Sequence, residues 1–163
     1  MALTDLYADE RVSMAHVGPL FLCGWADAPT MVQMRALGQY GRQVEAVVGP
    51  MSLVNVAFGG VPKFSDEVRK ISAEFTRDAS LFAHSRAHVV TIPGFKGAAV
   101  MSFINTFLLL GRPPRPTKVF RALDEAVRWT AGLLSPAGDE AAMHDAIELL
   151  RRGLYPATAV SGS

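Results

Sequence analysis

The sequence has few of the features that mark a secreted, nucleic-acid-binding or membrane-bound protein. It holds one cysteine, Cys23, which excludes an internal disulfide and favours a reducing compartment. Its formal net charge is +1 and its basic residues are scattered, so there is no electrostatic reason to expect nucleic acid as a partner. Acidic residues among the first ten stand where a signal peptide would be basic and then apolar. We therefore expect a cytoplasmic protein.

Patterns for catalysis and for metal or cofactor binding are missing as well. His84 and His88 are four residues apart, but they straddle a predicted helix end and strand start, so they would not share a helix face. His16 and His144 fall on other predicted elements, and zinc requires three or four convergent ligands. Cys23 lies in an apolar run, which predicts a buried, inert thiol. Neither glycine-rich phosphate-loop motif is present. We expect no enzyme, no metal and no cofactor.

What the sequence does contain is apolar residues, which make up half of its 163 positions. That is enough for one domain with a proper core. The longest apolar run, residues 97–111, is shorter than the ~20 residues that a bilayer requires. It also contains Ser102, Asn105 and Thr106. The run therefore predicts a core or interface helix and no membrane span.

Strand and helix patterns alternate along the chain. Two strand-like runs around Gly18-Pro19 predict a hairpin, and the second, nearly all apolar, should be central and buried on both faces. Three helix–strand pairs and two final helices follow. This order predicts an α/β fold with a mixed, mainly parallel sheet and helices packed on it. We expect an N-terminal arm at 1–10, one domain at 11–154 that ends in an appended helix at 139–154, and a flexible tail at 155–163.

Three stretches of this pattern resemble the STAS/SpoIIAA-like superfamily. They are the hairpin leading to a glycine and a helix start at 20–30, the strand, loop and serine-headed helix at 54–71, and the closing phrase at 118–129. Together they lie within residues 11–134. The superfamily includes anti-sigma-factor antagonists and a lipid-binding branch. The resemblance implies a non-catalytic protein that acts through protein–protein contact.

The resemblance also implies one candidate modification site. In regulatory members, a serine at the start of the helix after the third strand is phosphorylated by a partner kinase, and Ser65 matches that position. The surrounding phrase differs, because Phe64 replaces an aspartate and Asp66-Glu67 replace a small residue and glycine. Two neighbouring carboxylates disfavour a phosphate by repulsion. The alternative is that Ser65 is a plain helix N-cap, worth about 1 kcal/mol.

The helix predicted at 95–110 is apolar on nearly every side, which indicates that more than a sheet covers it. We expect Val100, Ile104 and Leu108 to face the sheet. Phe103, Phe107 and Leu110 are then expected to face away from it. The appended C-terminal helix, a second copy in a homodimer, or an apolar ligand could cover that outer side. The candidate interface or ligand residues are Phe95, Met101, Phe103, Phe107 and Leu110. At the start of the same helix, Gly94, Lys96 and Gly97 form a candidate anion loop, with one lysine at a helix N-terminus.

Two functional hypotheses follow from these patterns. The first is a regulatory or scaffold protein, homodimeric, that acts by contact with an unknown protein partner. The second is a binding protein or sensor for an apolar or lipid-like small molecule in a pocket beside helix 95–110. The lipid-binding branch of the resemblance favours the second, and a cavity at that helix is the feature that would distinguish them.

Overall fold

The computed structural model describes residues 2–134 and 138–156. Its centre is a six-stranded sheet in which the strands lie side by side in chain order. The strands are β1 (Thr4–Ala8), β2 (Val12–Val17), β3 (Leu20–Trp25), β4 (Ser52–Ala57), β5 (Ser85–Val90) and β6 (Thr117–Phe120). The first two pairings are antiparallel and the last three are parallel. The predicted α/β fold with a mixed, mainly parallel sheet is confirmed.

In the described part of the chain, five helices cover the sheet in two layers. They are α1 (Met31–Val48), α2 (Asp66–Arg77), α3 (Gly94–Gly111), α4 (Leu123–Leu133) and α5 (Glu140–Leu154). Helices α1, α2 and α3 each connect two neighbouring parallel strands. Such crossovers are right-handed, and here all three proceed in the same direction across the sheet, so the three helices lie on one face. Helices α4 and α5 pack on the opposite face, where α5 contacts β2 and β3.

Strand β3 shows how the two faces are filled. Leu20 and Leu22 point towards α4 and α5, whereas Phe21 and Cys23 point towards α1 and α2. All six of its residues are buried, because a strand inside a three-layer fold has no solvent face. The prediction that this strand is central and buried on both sides is confirmed, and so is the predicted hairpin with β2.

The first ten residues differ from the predicted arm, because Thr4–Ala8 form a strand that pairs with β2. The turn between the two strands is held by Asp9, whose carboxylate accepts the backbone N–H groups of Arg11 at 2.8 Å and Val12 at 3.0 Å. It also accepts a hydrogen bond from the Gln33 amide of α1 at 2.9 Å. The weak alternation of this segment concealed an edge strand that pairing with the adjacent β2 stabilises.

Helix α2 ends at Arg77, whereas apolar residues at helical spacing as far as Phe82 predict a helix that continues to about residue 83. The reason is Arg86 on β5, whose guanidinium donates to the carbonyls of Thr76, Asp78 and Leu81 at 2.5–2.6 Å. These bonds take up carbonyls at the helix end and in the following turn, so the chain leaves the helix towards the sheet. No local pattern in α2 encodes a partner that comes from another strand.

The C-terminal helix does not cover α3, because the two lie on opposite faces of the sheet. That alternative for covering α3 was therefore wrong. Helix α3 is long and apolar enough, by length and composition, to cross a membrane, yet it connects β5 to β6 and packs on α2 and β5. It gives no clear membrane span. Of the predicted flexible tail, residues 157–163 lie outside the described part.

The start of α3 approaches the end of β5 very closely at Gly97. A Cβ atom there would overlap the backbone carbonyl of Ile92 and would also meet the guanidinium of Arg121. Arg121 donates to the same Ile92 carbonyl at 3.0 Å, so this oxygen has little freedom to move. Close packing therefore explains Gly97 without an anion. The anion loop at Gly94, Lys96 and Gly97 stays a prediction.

Substituting Gly97→Ala should lower the free energy of unfolding by about 3 kcal/mol, because overpacking against a fixed carbonyl has no easy relaxation. Gly132→Ala in α4 is the matched control, since no atom of the described residues lies within 4 Å of the added Cβ. It should stabilise the protein by about 0.5–1 kcal/mol through helix propensity. Denaturant unfolding of both variants measures the difference, and equal stabilities would contradict the proposed packing.

Candidate functional site

A cavity of about 100 Å³ lies between the sheet and helices α1–α3. This exceeds the space that one water molecule requires. Its outer end is formed by half-exposed residues that follow the carboxyl ends of β3 and β4, including Asp27 and Gly60. Its inner end is formed by buried residues, including Thr76, Phe82 and Arg86. The crevice at the carboxyl ends of parallel strands is where α/β proteins commonly bind ligands.

Aromatic side chains form the helix side of the cavity. Phe64, from the loop between β4 and α2, stacks on Phe103 of α3 with ring centroids 3.6 Å apart and planes 5° from parallel. Phe103 meets Phe107 edge to face at 5.2 Å, and Val100 and Ile104 complete the surface. The guanidinium carbon of Arg69 lies 6.0 Å from the Phe103 centroid, on the solvent side. This arrangement offers flat apolar contacts to a small molecule.

A chain of hydrogen bonds crosses the sheet side of the cavity. The indole N–H of Trp25 donates to Oδ1 of Asn55 at 2.7 Å, and Nδ2 of Asn55 lies 3.1 Å from Nδ1 of His88. An indole can only donate, so the Asn55 atom that faces it must be the oxygen. The Asn55 amide nitrogen then donates to His88, which must accept at Nδ1. The network therefore places the His88 proton on Nε2.

The charge state of His88 agrees with this proton order. Burial, with a smaller contribution from the positive charge of Arg86, lowers the pKa of His88 to about 4. A neutral imidazole has one donor nitrogen and one acceptor nitrogen, as the Asn55 contact requires. Protonating Nδ1 would set a donor against the Asn55 amide donor. His88 is therefore neutral at physiological pH and points a donor away from the sheet.

The structure divides the predicted interface or ligand residues between two surfaces. Phe103 and Phe107 line the cavity, and Phe107 is 8% exposed, so the prediction that they face away from the sheet was wrong. Phe95 and Leu110 lie on the outer side of α3 and are 87% and 63% exposed. Met101 is half-buried beside a shallow surface groove. One apolar side of the helix therefore lines the cavity, and apolar residues on the other side are exposed to solvent.

Sequence reasoning missed the polar residues of the cavity, namely Trp25, Asn55, Arg86 and His88. A usable signal was present, because Asn55 interrupts an apolar run in a central strand, and Arg86 and His88 lie two apart in another. Polar groups in a fully covered strand must find partners or face a cavity. Their alternation also places them on the same side of the sheet.

The other predicted positions have structural roles. The Ser65 hydroxyl accepts the Val68 backbone N–H at 3.2 Å, so the N-cap interpretation is confirmed and phosphorylation stays a prediction. Cys23 is buried, and burial raises the pKa of its thiol, as an inert cysteine requires. Lys96 is exposed at the start of α3. Within residues 2–134 and 138–156, no cluster of three or more histidine, cysteine or acidic residues could hold a metal ion.

The fold and the cavity together define an α/β protein with a partly open, mainly apolar cavity between its sheet and helices α1–α3, which opens near the carboxyl ends of β3 and β4. Comparisons with protein-family models, curated proteins and solved structures find no match. The geometry of the site is therefore the basis for inferring a function.

The neutral state of His88 should make stability depend on pH. Its pKa in the folded state is about 4, below the ordinary value near 6.5, so between these values the unfolded chain binds a proton that the folded protein does not. Stability is thus lost as the pH falls from about 6.5 towards 4. Between pH 7 and pH 5 this loss should be about 2 kcal/mol.

The His88→Gln variant provides the comparison, because glutamine can still accept from Asn55 but does not titrate. Denaturant unfolding at pH 7 and pH 5 should show a loss about 2 kcal/mol smaller in the variant than in the parent protein. His144→Gln, at a half-exposed position on α5, controls for removing a histidine. Identical pH dependence in all three proteins would show that His88 is not held neutral.

Proposed function

We propose that the protein binds a small, mainly apolar molecule in the cavity between its sheet and α3, as a carrier or sensor without catalysis. The observation that supports this most strongly is the cavity itself, which lies beside helix 95–110, as the second of the two hypotheses from the sequence requires. Cavities in protein cores are few, because interiors are close-packed. A mainly apolar cavity beside a few orienting polar groups has the composition of a ligand site.

The lining favours binding over chemistry. Phe103, Phe107 and Ile104 offer apolar surface, whereas Asn55 and His88 supply fixed polar groups that could orient a ligand. Cys23 does not line the cavity, and its raised pKa makes it a poor nucleophile. His88 accepts a hydrogen bond from the Asn55 amide, and an amide is not a nucleophile that a histidine base could activate, as a hydroxyl or thiol would be. These features support a binding protein.

A second function is favoured by the outer side of α3. Phe95, Leu109 and Leu110 are 63–87% exposed there, and exposed apolar patches often mark protein interaction sites. We propose a cytoplasmic, STAS/SpoIIAA-like regulatory or scaffold role in which this side forms a homodimer or contacts a protein partner. The two proposals use opposite sides of α3, so they are compatible.

The ligand proposal predicts that filling the cavity blocks binding. Val100→Phe adds bulk to the cavity wall, whereas Leu109→Phe makes a comparable addition on the solvent side of the same helix. We expect Val100→Phe to weaken binding of the neutral fluorescent probe N-phenyl-1-naphthylamine by at least about tenfold, a loss of about 1.4 kcal/mol. Leu109→Phe should bind as the parent protein does.

Fluorescence titration measures the two affinities, and native mass spectrometry of the purified protein reports any bound molecule carried through purification. Circular dichroism and thermal unfolding verify that Val100→Phe is folded. Equal probe affinity in both variants would place the probe outside the cavity and contradict the proposed site.

The interface proposal predicts that charge on the outer side of α3 separates a dimer. Leu109→Glu should convert the dimer to a monomer, because a carboxylate buried between two copies loses its hydration. Val47→Glu is the control, since Val47 is 86% exposed on α1, away from this side. Native mass spectrometry gives the oligomeric state. A monomeric parent protein, or a Leu109→Glu variant that remains dimeric, would refute this interface.

A further inference from the structure

Arg86 is a buried cation with an incomplete set of partners. It is 3% exposed, and its terminal nitrogens donate to the three carbonyls at the end of α2. Its Nε–H has no hydrogen-bond acceptor in the described part of the chain. A buried N–H without an acceptor costs about 1–3 kcal/mol, so its presence requires an explanation.

No carboxylate in residues 2–134 or 138–156 forms an ion pair with Arg86. Asp78 and Glu45 are near enough to influence its charge, and Arg115 opposes them. Both carboxylates are engaged elsewhere. Asp78 accepts from Ser80 and Arg42, and Glu45 accepts the backbone N–H groups of Met51, Phe82 and Ala83.

His88 supplies a second free donor on the same side of β5. It lies two residues beyond Arg86, so the two side chains leave the same face of the strand about 7 Å apart. Its Nδ1 accepts from Asn55, and Nε2, at the far end of the ring from the sheet, carries the proton. In the described residues, Nε2 has no hydrogen-bond acceptor, and the ring meets Phe107 with centroids 5.6 Å apart.

Arg86 and His88 both line the same cavity, whose remaining walls are mainly apolar. A carboxylate has two oxygens, each able to accept a charge-assisted hydrogen bond of about 2.8 Å, and it would supply the counter-charge that Arg86 lacks. We infer that the ligand is an apolar monocarboxylic acid, its carboxylate bound by Arg86 and His88 at the inner end and its apolar body lying against Phe103 and Phe107. This inference rests on the proposed ligand-binding function and specifies its ligand class.

The direction of the ligand follows from the same geometry. Arg86 and Ile92 both line the cavity and are six residues apart along β5 and its extension, about 20 Å at the rise of an extended chain. The charged end would be at the buried inner end, and the chain would extend towards the half-exposed residues after β3 and β4. In the alternative explanation, Arg86 only holds the end of α2, and water fills the cavity.

The test compares ligands instead of altering Arg86, whose replacement would also release the end of α2. Octanoic acid, 1-octanol and methyl octanoate share one apolar chain and differ in the head group. Isothermal titration of the full chain at pH 7 should show octanoate binding about 10–100-fold more tightly than either neutral compound. Val100→Phe should weaken octanoate binding, and Leu109→Phe should not, if binding occurs in the cavity.

A nuclear magnetic resonance titration of the histidines gives an independent readout. A carboxylate beside His88 stabilises the protonated ring, so octanoate should raise the pKa of His88 from about 4 by at least one unit. Octanol should leave the His88 pKa unchanged, and the resonances of His144, which does not line the cavity, serve as the control for both compounds.

The outcomes separate the two proposals. Tighter octanoate binding together with a raised His88 pKa supports the carboxylate site. Equal or tighter binding of octanol in the cavity, with the His88 pKa unchanged, overturns the carboxylate inference and leaves the apolar binding function intact. Failure of the octyl compounds and of the naphthylamine probe to bind overturns both. Octanoate binding that Val100→Phe does not affect places the acid on the surface and overturns the inference.

Discussion

The placing of Arg86 is the constraint on which the cavity depends. A guanidinium cannot be buried without partners, and here its partners are the carbonyls at the end of α2. The arginine thereby attaches the middle helix of one layer to the middle of the parallel sheet. Helix α2 packs in turn against α1 and α3, so its position determines how closely the helices approach the strands. The polar side chains beside Arg86 interrupt apolar packing, and a cavity remains.

Helix α3 illustrates why an apolar sequence does not by itself identify a buried helix. Only 28% of its residues are buried, although it is the most apolar helix of the chain. One side combines Val100, Ile104 and Phe107 with the cavity, and the opposite side presents Leu109 and Leu110 to solvent. The helix therefore has two unsatisfied apolar surfaces of different kinds. The side that lines the cavity suits the proposed small molecule, and the solvent-exposed side suits the proposed protein partner.

Much of the fold could be predicted from local patterns, since the parallel core strands and their crossover helices have strong apolar periodicity. The elements that escaped prediction depend on partners outside the element itself. Strand β1 is stabilised by pairing with β2, and α2 is ended by an arginine nine residues beyond its last residue. The candidate site was only half predicted. Phe103 and Phe107 were named from composition, whereas Asn55 and His88 were missed because buried polar residues have meaning only beside their partners.

The sequence by itself determined the α/β class, the central apolar strand, the N-cap at Ser65 and the existence of surplus apolar surface on α3. These follow from propensity and periodicity, which act between residues close in the chain. Only the tertiary structure decided which side of α3 meets the sheet, that α5 lies on the opposite face, and that Trp25, Asn55 and His88 form one hydrogen-bond chain. The hydrogen-bond chain joins residues that are 30 or more positions apart in sequence, so its geometry exists only once the sheet has formed. The positions of α3 and α5 likewise depend on the formed sheet.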